Sequence, residues 1–179
     1  MNHLFQNIGN HLNVSLPTEQ RSFHNNLDVL YIKLAFLVQW PNREHLRETR
    51  YMCFRKEFGE KVVVLECFEL CAEKPSCALN KAYTYSNYKH NQTVKYLIGI
   101  APECVVTFIF DGWGGTTSDK YITEKSGVIN NLLPDEIVMV DRCFNIDDDV
   151  CFYQAELAIL TFTRGKAQLY PLEVEKTKT

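Results

Sequence analysis

The chain has 179 residues, of which 46% are hydrophobic, and this length suits one domain with a single core. Its formal net charge of −3, from 19 basic and 22 acidic residues, argues against a general electrostatic attraction to nucleic acid and leaves only local basic patches for such contacts. The seven cysteines form no CxxC pair, which disfavours a zinc site, and the N-terminus lacks a secretory pattern, so free thiols in an intracellular protein are expected.

The N-terminal part predicts helices. Residues 1–24 are polar and weakly patterned, whereas apolar residues recur at helical spacing over 23–38 and predict a buried helix that ends before Pro41. The apolar stretch 27–40 contains Asp28 and Lys33 and is too short to span a bilayer. A second short helix is expected over about 43–58.

Three strands are predicted next. Residues 62–68 are rich in β-branched side chains and have the length of a strand, and Glu66 stands alone inside this apolar run. Residues 94–100 and 105–110 predict two more strands, and the short turn between them favours an antiparallel hairpin. A carboxylate within an apolar strand requires a structural or functional reason.

The glycine-rich segment 110–120, FDGWGGTTSDK, fits a phosphate-binding loop, a carboxylate metal site or a turn. It lacks the Gly-Lys-Ser/Thr ending of a P-loop and follows a hairpin strand, so nucleotide binding is not favoured. The segment is better interpreted as a turn into a helix over 118–133, with Ser118 and Asp119 as helix-start residues. Asp119 is also kept as a candidate near a metal site, ahead of Asp111.

The last elements complete an α/β pattern. A fourth strand is predicted over 136–141 with Asp141 at its end, a fifth over 155–160, and a helix after Pro171. The predicted order is helices, then three strands, then a helix followed by two strands and a final helix. This order indicates a mixed sheet with flanking helices.

Carboxylates at strand ends raise the possibility of metal-dependent phosphodiester chemistry. Such reactions use carboxylates to hold two divalent ions about 3.5–4 Å apart, and magnesium and manganese both prefer oxygen ligands. Solvated strand ends and helix caps are the alternative explanation. The acidic residues in question are Glu66, Glu69, Asp111, Asp119 and Asp141.

Basic and aromatic residues are mixed over 83–95, a combination that stacks on bases and contacts phosphates. A solvated loop whose tyrosines pack on the sheet explains the same residues. The candidate nucleic-acid contacts here and further along the chain are Lys89, His90, Lys95, Arg164 and Lys166.

An ordered set of short motifs distinguishes this chain from a generic α/β domain. They are EKPS at 73–76, YSNYKH at 85–90, TVKYLIG at 93–99, WGG at 113–115, SDK at 118–120, Asp141-Arg142 with Phe144, FTRGKAQL at 162–169 and LEVEKT at 172–177. Together they resemble the DDE superfamily endonuclease domain of Harbinger-like transposases, in the branch often found beside THAP-type zinc fingers. The resemblance extends over roughly residues 27–179.

This resemblance implies a ribonuclease H-like mixed sheet with flanking helices, preceded by an N-terminal helical segment. Residues 1–60 would be that segment, corresponding to a degenerate helix-turn-helix region, and residues 61–179 the nuclease domain. It implies cleavage and transfer of DNA strands with Mg²⁺ or Mn²⁺, a possible separate DNA-binding partner protein, no membrane association and a nuclear location.

The resemblance also assigns the catalytic carboxylates and shows departures from the family. The first falls on Glu66, where the family has aspartate, the second on Asp141, and the third would follow Lys176, beyond the end of this sequence. Cys143 stands where the family has glycine, and Thr116 replaces a common basic residue. These departures favour a truncated, degenerate nuclease with impaired activity. The alternative is an inactive transposon relic or a domesticated module that binds DNA or protein.

Overall fold

A computed structural model of the chain describes residues 2–40, 62–141 and 144–159. The chain divides into two compact units, residues 1–38 and residues 39–179. The predicted helix over 43–58, the helix after Pro171, Arg164, Lys166 and Cys143 all lie outside the described residues.

The N-terminal unit is a pair of helices. Helix α1 spans Asn2–Leu12, helix α2 spans Leu16–Leu34, and a 3-10 turn follows at Ala35–Leu37. Helix α2 begins earlier than the apolar spacing predicted, because Ser15 stands at the N-cap and Pro17 occupies the first turn, where its missing N–H is not needed.

The prediction that the 23–38 helix is buried is wrong. Tyr31 and Ile32 are 80% and 74% exposed, and Leu27 and Leu30 are about half exposed. The physical reason is that apolar side chains point from several sides of α2, and one short partner helix covers only one of them.

The second unit contains a seven-stranded mixed sheet. The strands lie in the order β2-β3-β1-β6-β7, and β4 and β5 also pair with β3. Their bounds are β1 Val62–Cys71, β2 Tyr85–Ser86, β3 Asn91–Ile100, β4 Val106–Ile109, β5 Trp113–Gly114, β6 Ile137–Val140 and β7 Glu156–Ile159.

Short helices connect the strands. They are α3 at Ala78–Thr84, α4 at Asp119–Ser126, a 3-10 segment at Val128–Asn131 and α5 at Asp147–Phe152. The single helix predicted over 118–133 is therefore divided in two. Gly127 divides it because it takes a left-handed conformation with φ of 68°, which ends α4.

The strand directions are those of a ribonuclease H-like fold. Strand β1 is antiparallel to β3, and β3 and β4 form the predicted hairpin. Strands β1, β6 and β7 are parallel, so β6 and β7 require a crossover connection, and α5 lies in it. Helix α5 was not predicted, because six residues are too few to show a helical period.

The main core lies on one face of this sheet. Val63 and Leu65 on β1 and Val138 and Val140 on β6 are almost fully buried and belong to one apolar cluster. The residues added by the connecting segments are Ile122, Val128, Ile129, Leu132, Phe144, Ile146 and Val150. Since side chains alternate along a strand, Cys67 and Glu69 share the core side of β1, and Glu66 points to the opposite face.

The glycine-rich turn leaves no room for a Cβ at Gly114 or Gly115. A Cβ at Gly114 would collide with the Tyr83 carbonyl oxygen, and one at Gly115 with Thr93 Oγ1. The turn reading of this segment is confirmed. The pairing of Trp113–Gly114 with β3 was not predicted.

Candidate metal centre

Glu66 and Asp141 come together through strand register. Strands β1 and β6 are parallel, and Leu65 pairs with Val140. Glu66 and Asp141 are the next residues on each strand, and neighbouring strands lie about 4.8 Å apart. Their side chains therefore leave the sheet side by side. Glu66 is exposed to solvent and Asp141 is partly buried.

The direction of the Glu66 pKa shift agrees with this register. Loss of hydration raises the pKa of the Glu66 carboxyl above its ordinary value, and the negative charge of Asp141 adds to the shift. Asp119 makes a further contribution in the same direction. The charges of Asp141 and Asp119 thus both disfavour the ionised form of Glu66.

Asp119 is bound on the core side of β1. It is the first residue of α4, whose N-cap Ser118 accepts a hydrogen bond from the Tyr121 backbone N–H. Asp119 Oδ1 accepts a hydrogen bond from Lys95 Nζ at 2.9 Å. The carboxylate also lies beside the Cys67 thiol, and burial followed by the charge of Asp119 raises the pKa of that thiol, which keeps it protonated.

Lys95 was expected to contact nucleic acid, and the structure places it inside the domain. The residue is 9% exposed, and its ammonium also donates to the Thr117 carbonyl oxygen at 2.9 Å. Glu69 faces Lys95 across the β1–β3 pair, with Oε1 at 3.7 Å from Nζ. To contact a phosphate, the Lys95 ammonium would have to break its hydrogen bonds to the Thr117 carbonyl oxygen and to Asp119 Oδ1.

Lys89 and His90 lie at the surface, in the turn between β2 and β3. Tyr88 beside them is 80% exposed, and Lys89 Nζ lies 4.9 Å from the centre of its ring. His90 has a positive φ of 51°, which marks the end of the turn before β3. This exposed tip presents an aromatic ring and cationic or titratable groups to solvent.

The two cysteines of β1 differ in burial. Cys67 is partly buried against the core, but Cys71 is exposed, because β1 extends past the core edge at that end. Within residues 2–40, 62–141 and 144–159, no cluster of three or more His, Cys, Asp or Glu side chains is arranged to hold a metal ion.

A comparison with models of protein families gives one match. The family model described as DDE superfamily endonuclease matches residues 65–179. The chain belongs to this family. The match begins at Leu65, one residue before Glu66, and includes Asp141. Searches among characterised proteins and among solved structures return no match.

The carboxylates of this DDE endonuclease fit a hard divalent cation. Magnesium is commonly held by one or two carboxylates, and water and substrate phosphates complete its octahedral shell. Glu66 and Asp141 offer such a pair where the pairing of β1 with β6 ends, and the exposure of Glu66 leaves room for solvent ligands.

Glu69 was a candidate metal ligand, but its contacts with Lys95 and Thr93 were not predicted. The register places Glu69 opposite Lys95, and Glu69 Oε2 accepts a hydrogen bond from Thr93 Oγ1 at 2.8 Å. The sequence did contain a signal for this contact. Glu69 lies four residues after the buried Leu65 on the same strand, so both side chains point to the core face, and a carboxylate on that face requires a polar partner. The identity of that partner depended on a strand pairing between residues 26 positions apart.

A cavity of about 390 Å³ lies apart from these carboxylates. Asn130, Asp149, Phe152 and Tyr153 line it, and Tyr153 Oη donates to Asn130 Oδ1 at 2.5 Å. None of the proposed metal ligands borders it. Among the described residues, no helix is both long and apolar enough to cross a membrane.

Proposed function

We propose that this chain is the catalytic domain of a Harbinger-like transposase, in which Glu66 and Asp141 bind Mg²⁺ or Mn²⁺ for DNA strand cleavage. Family membership supports the nuclease class. The observation that carries the proposal is the parallel register of β1 and β6, which brings the two carboxylates together in three dimensions although they are far apart in sequence.

When bound, the cation would activate the attacking water and stabilise the leaving oxygen of the phosphodiester. The residues of the chain position it. Glu66 would supply a carboxylate oxygen from within β1 and Asp141 one from the position directly after β6, and hydrogen-bonded strands hold ligands more rigidly than loops do. The raised pKa of Glu66 follows from loss of hydration and nearby negative charge, and a cation between the carboxylates would remove the repulsion.

DNA would approach the exposed tip at Tyr88, Lys89 and His90. A cation beside an exposed aromatic ring suits contact with a phosphate and an adjacent base. Arg164 and Lys166 are proposed as further phosphate contacts. Because a net charge of −3 gives no general electrostatic attraction to DNA, the domain would depend on a separate DNA-binding partner protein for target selection, and it would act in the nucleus.

A second function is favoured by one specific residue. Glu66 stands where the family resemblance places aspartate, and its additional methylene moves the carboxylate by about one bond length, although productive geometry is held within about 0.5 Å. A domain with this change would retain the fold and a contact with DNA or protein without cleaving DNA, as in a transposon relic or a domesticated module.

Manganese binding and DNA nicking separate these functions. Calorimetry with Mn²⁺ on the wild-type chain and on Asp141→Asn, followed by a nicking assay on supercoiled DNA, is the test. The nuclease proposal expects binding and nicking in the wild type, with both lost in Asp141→Asn. The exposed Asp148 lies on α5 and lines the cavity that neither Glu66 nor Asp141 borders, and Asp148→Asn is the matched control.

Binding without nicking would favour the non-catalytic module. Manganese binding that is unchanged in Asp141→Asn would overturn the site itself.

A further inference from the structure

Phe68 and Tyr96 form a stacked pair of rings on the face of the sheet that carries Glu66. The two residues are partners across the β1–β3 pair, and their ring centres lie 5.5 Å apart with the ring planes inclined by 21°. Because side chains alternate along a strand, Phe68 points to the same face as Glu66, about 7 Å further along β1. Both aromatic residues are partly exposed. The aromatic pair therefore lies beside a proposed metal ligand.

The stack is closed at Tyr96 and open at Phe68. Strand β3 lies between β1 and the strands β4 and β5. The backbone of Gly112, which connects β4 to β5, lies so close to the Tyr96 ring that a Cβ there would be 3.0 Å from Cε1 and Cζ. On the other side, β1 pairs with β6 only as far as Leu65, so among the described residues no strand pairs with Phe68 there. A further flat group can extend the stack from Phe68, past the end of β6.

A nucleobase fits this position better than an apolar protein segment does. Glu66 is exposed on the same face, and an apolar segment laid over Phe68 would bury the charge of that carboxylate without a partner. A cation held by Glu66 and Asp141 would instead neutralise the charge and bind a phosphate oxygen of DNA. The base of that nucleotide is joined to the phosphate through one sugar, which brings the base within reach of the Phe68 ring.

We propose that Phe68, supported from behind by Tyr96, is a stacking platform for an unpaired DNA base next to the cleaved phosphate. The ligand is a base of any identity, because every base has a flat face on which an aromatic ring can stack. This inference rests on the proposed function. It adds a contact with the DNA strand beside the metal ligands, in addition to the exposed tip at Tyr88, Lys89 and His90.

Binding of single-stranded DNA tests the platform. Phe68→Leu removes the flat ring but keeps an apolar side chain, and it is expected to weaken the affinity for a thymidine oligonucleotide by about 5- to 150-fold in fluorescence anisotropy. The measurement is made with Mn²⁺ and again with a chelator. Phe152→Leu, which removes a ring that is 81% exposed on α5, is the matched control and should leave the affinity unchanged.

Three results of this measurement would overturn the platform. They are equal affinities of the wild type and Phe68→Leu, an equal loss in Phe152→Leu, and no binding by the wild type with or without Mn²⁺.

A fluorescent ring at the end of the stack distinguishes base contact from a purely structural role. Phe68→Trp is expected to bind the oligonucleotide as the wild type does, and a base stacked on the indole should quench its fluorescence. Phe152→Trp is the control, and Trp40 and Trp113 contribute the same background to both variants. DNA binding without quenching in Phe68→Trp, or equal quenching in both variants, would contradict stacking at Phe68.

An abasic oligonucleotide of the same length separates contact with bases from contact with phosphates. It is expected to bind the wild type more weakly than the thymidine oligonucleotide does, and to bind Phe68→Leu and the wild type equally. Equal affinities of the wild type for both oligonucleotides would overturn the platform, even when Phe68→Leu does not fold. Base-dependent binding through Phe68 in a chain that neither binds Mn²⁺ nor nicks DNA would retain the platform and reject the nuclease.

Discussion

Glu66 and Asp141 leave neighbouring parallel strands at the same register position, directly after the paired residues Leu65 and Val140. A shift of one residue in this pairing would turn one of the two carboxylates to the opposite face of the sheet. The buried Val63, Leu65, Val138 and Val140 oppose such a shift, because it would expose apolar side chains. The core thus maintains the geometry of the proposed site.

Replacing Glu66 with aspartate tests the effect of the glutamate that stands where the family has aspartate. Glu66→Asp is expected to increase the nicking rate by about 10- to 100-fold, because a displacement of about 1 Å at a reacting centre costs on the order of 10²-fold. Rates on supercoiled DNA with Mn²⁺ measure the effect. Glu124→Asp, at an exposed position on α4, is the control. Slower nicking in Glu66→Asp would mean that the site is built for the longer side chain.

The raised pKa of Glu66 gives the metal-free domain a predictable pH dependence. In the unfolded chain the carboxyl ionises near its ordinary value of 4.5, and in the folded chain it holds its proton to higher pH. Folding therefore binds a proton in this window, and this contribution to stability decreases as the pH rises from about 4.5 through the folded pKa.

Glu66→Gln removes that contribution. The unfolding temperature of the wild type, measured from pH 4 to pH 7 without metal, should decline relative to that of Glu66→Gln. The exposed Glu73→Gln should follow the wild type. Parallel curves for the wild type and Glu66→Gln would contradict the predicted ionisation of Glu66.

Lys89 is expected to contribute to DNA affinity without sequence preference. Replacing it with glutamate should weaken binding to all sequences and lower the slope of log Kobs against log salt by about 0.9 for each phosphate contact removed. Fluorescence anisotropy with duplex DNA at several salt concentrations gives that slope. Lys125→Glu, at an exposed position on α4, is the matched control. Equal effects at both positions would indicate only a change of net charge.

The glycine-rich turn is expected to resist substitution for steric reasons. Gly114→Ala would place a Cβ against the Tyr83 carbonyl oxygen, and overpacking of this kind typically costs about 1–3 kcal/mol in the free energy of unfolding. Urea denaturation of Gly114→Ala measures the cost. Asp111→Ala, at an exposed position in the same segment, should have little effect. An unchanged free energy of unfolding in Gly114→Ala would show that the backbone at Tyr83 moves aside at little cost.

The catalytic assignment depended on two kinds of information. Glu66 was conspicuous as a lone carboxylate in an apolar strand, and Asp141 ended a short apolar run, so both could be selected from the sequence together with the family resemblance. Asp119 was selected with them, but its contact with Lys95 could not be foreseen. Arg164 and Lys166 lie outside the described residues and stay predictions.

The sequence by itself determined the strands β1, β3, β4, β6 and β7 and the break at the glycine-rich turn, because β-branched runs and glycines act through local sterics. It did not reveal the helix at Asp147–Phe152, because six residues are too few to show a helical period. It also did not reveal that the predicted 118–133 helix is divided at Gly127, because that division depends on the left-handed φ of this one residue. Only the tertiary structure decided that Glu66 meets Asp141 and that Glu69 meets Lys95. Both contacts follow from strand register, which is set by the packing of residues distant in sequence and has no local signature.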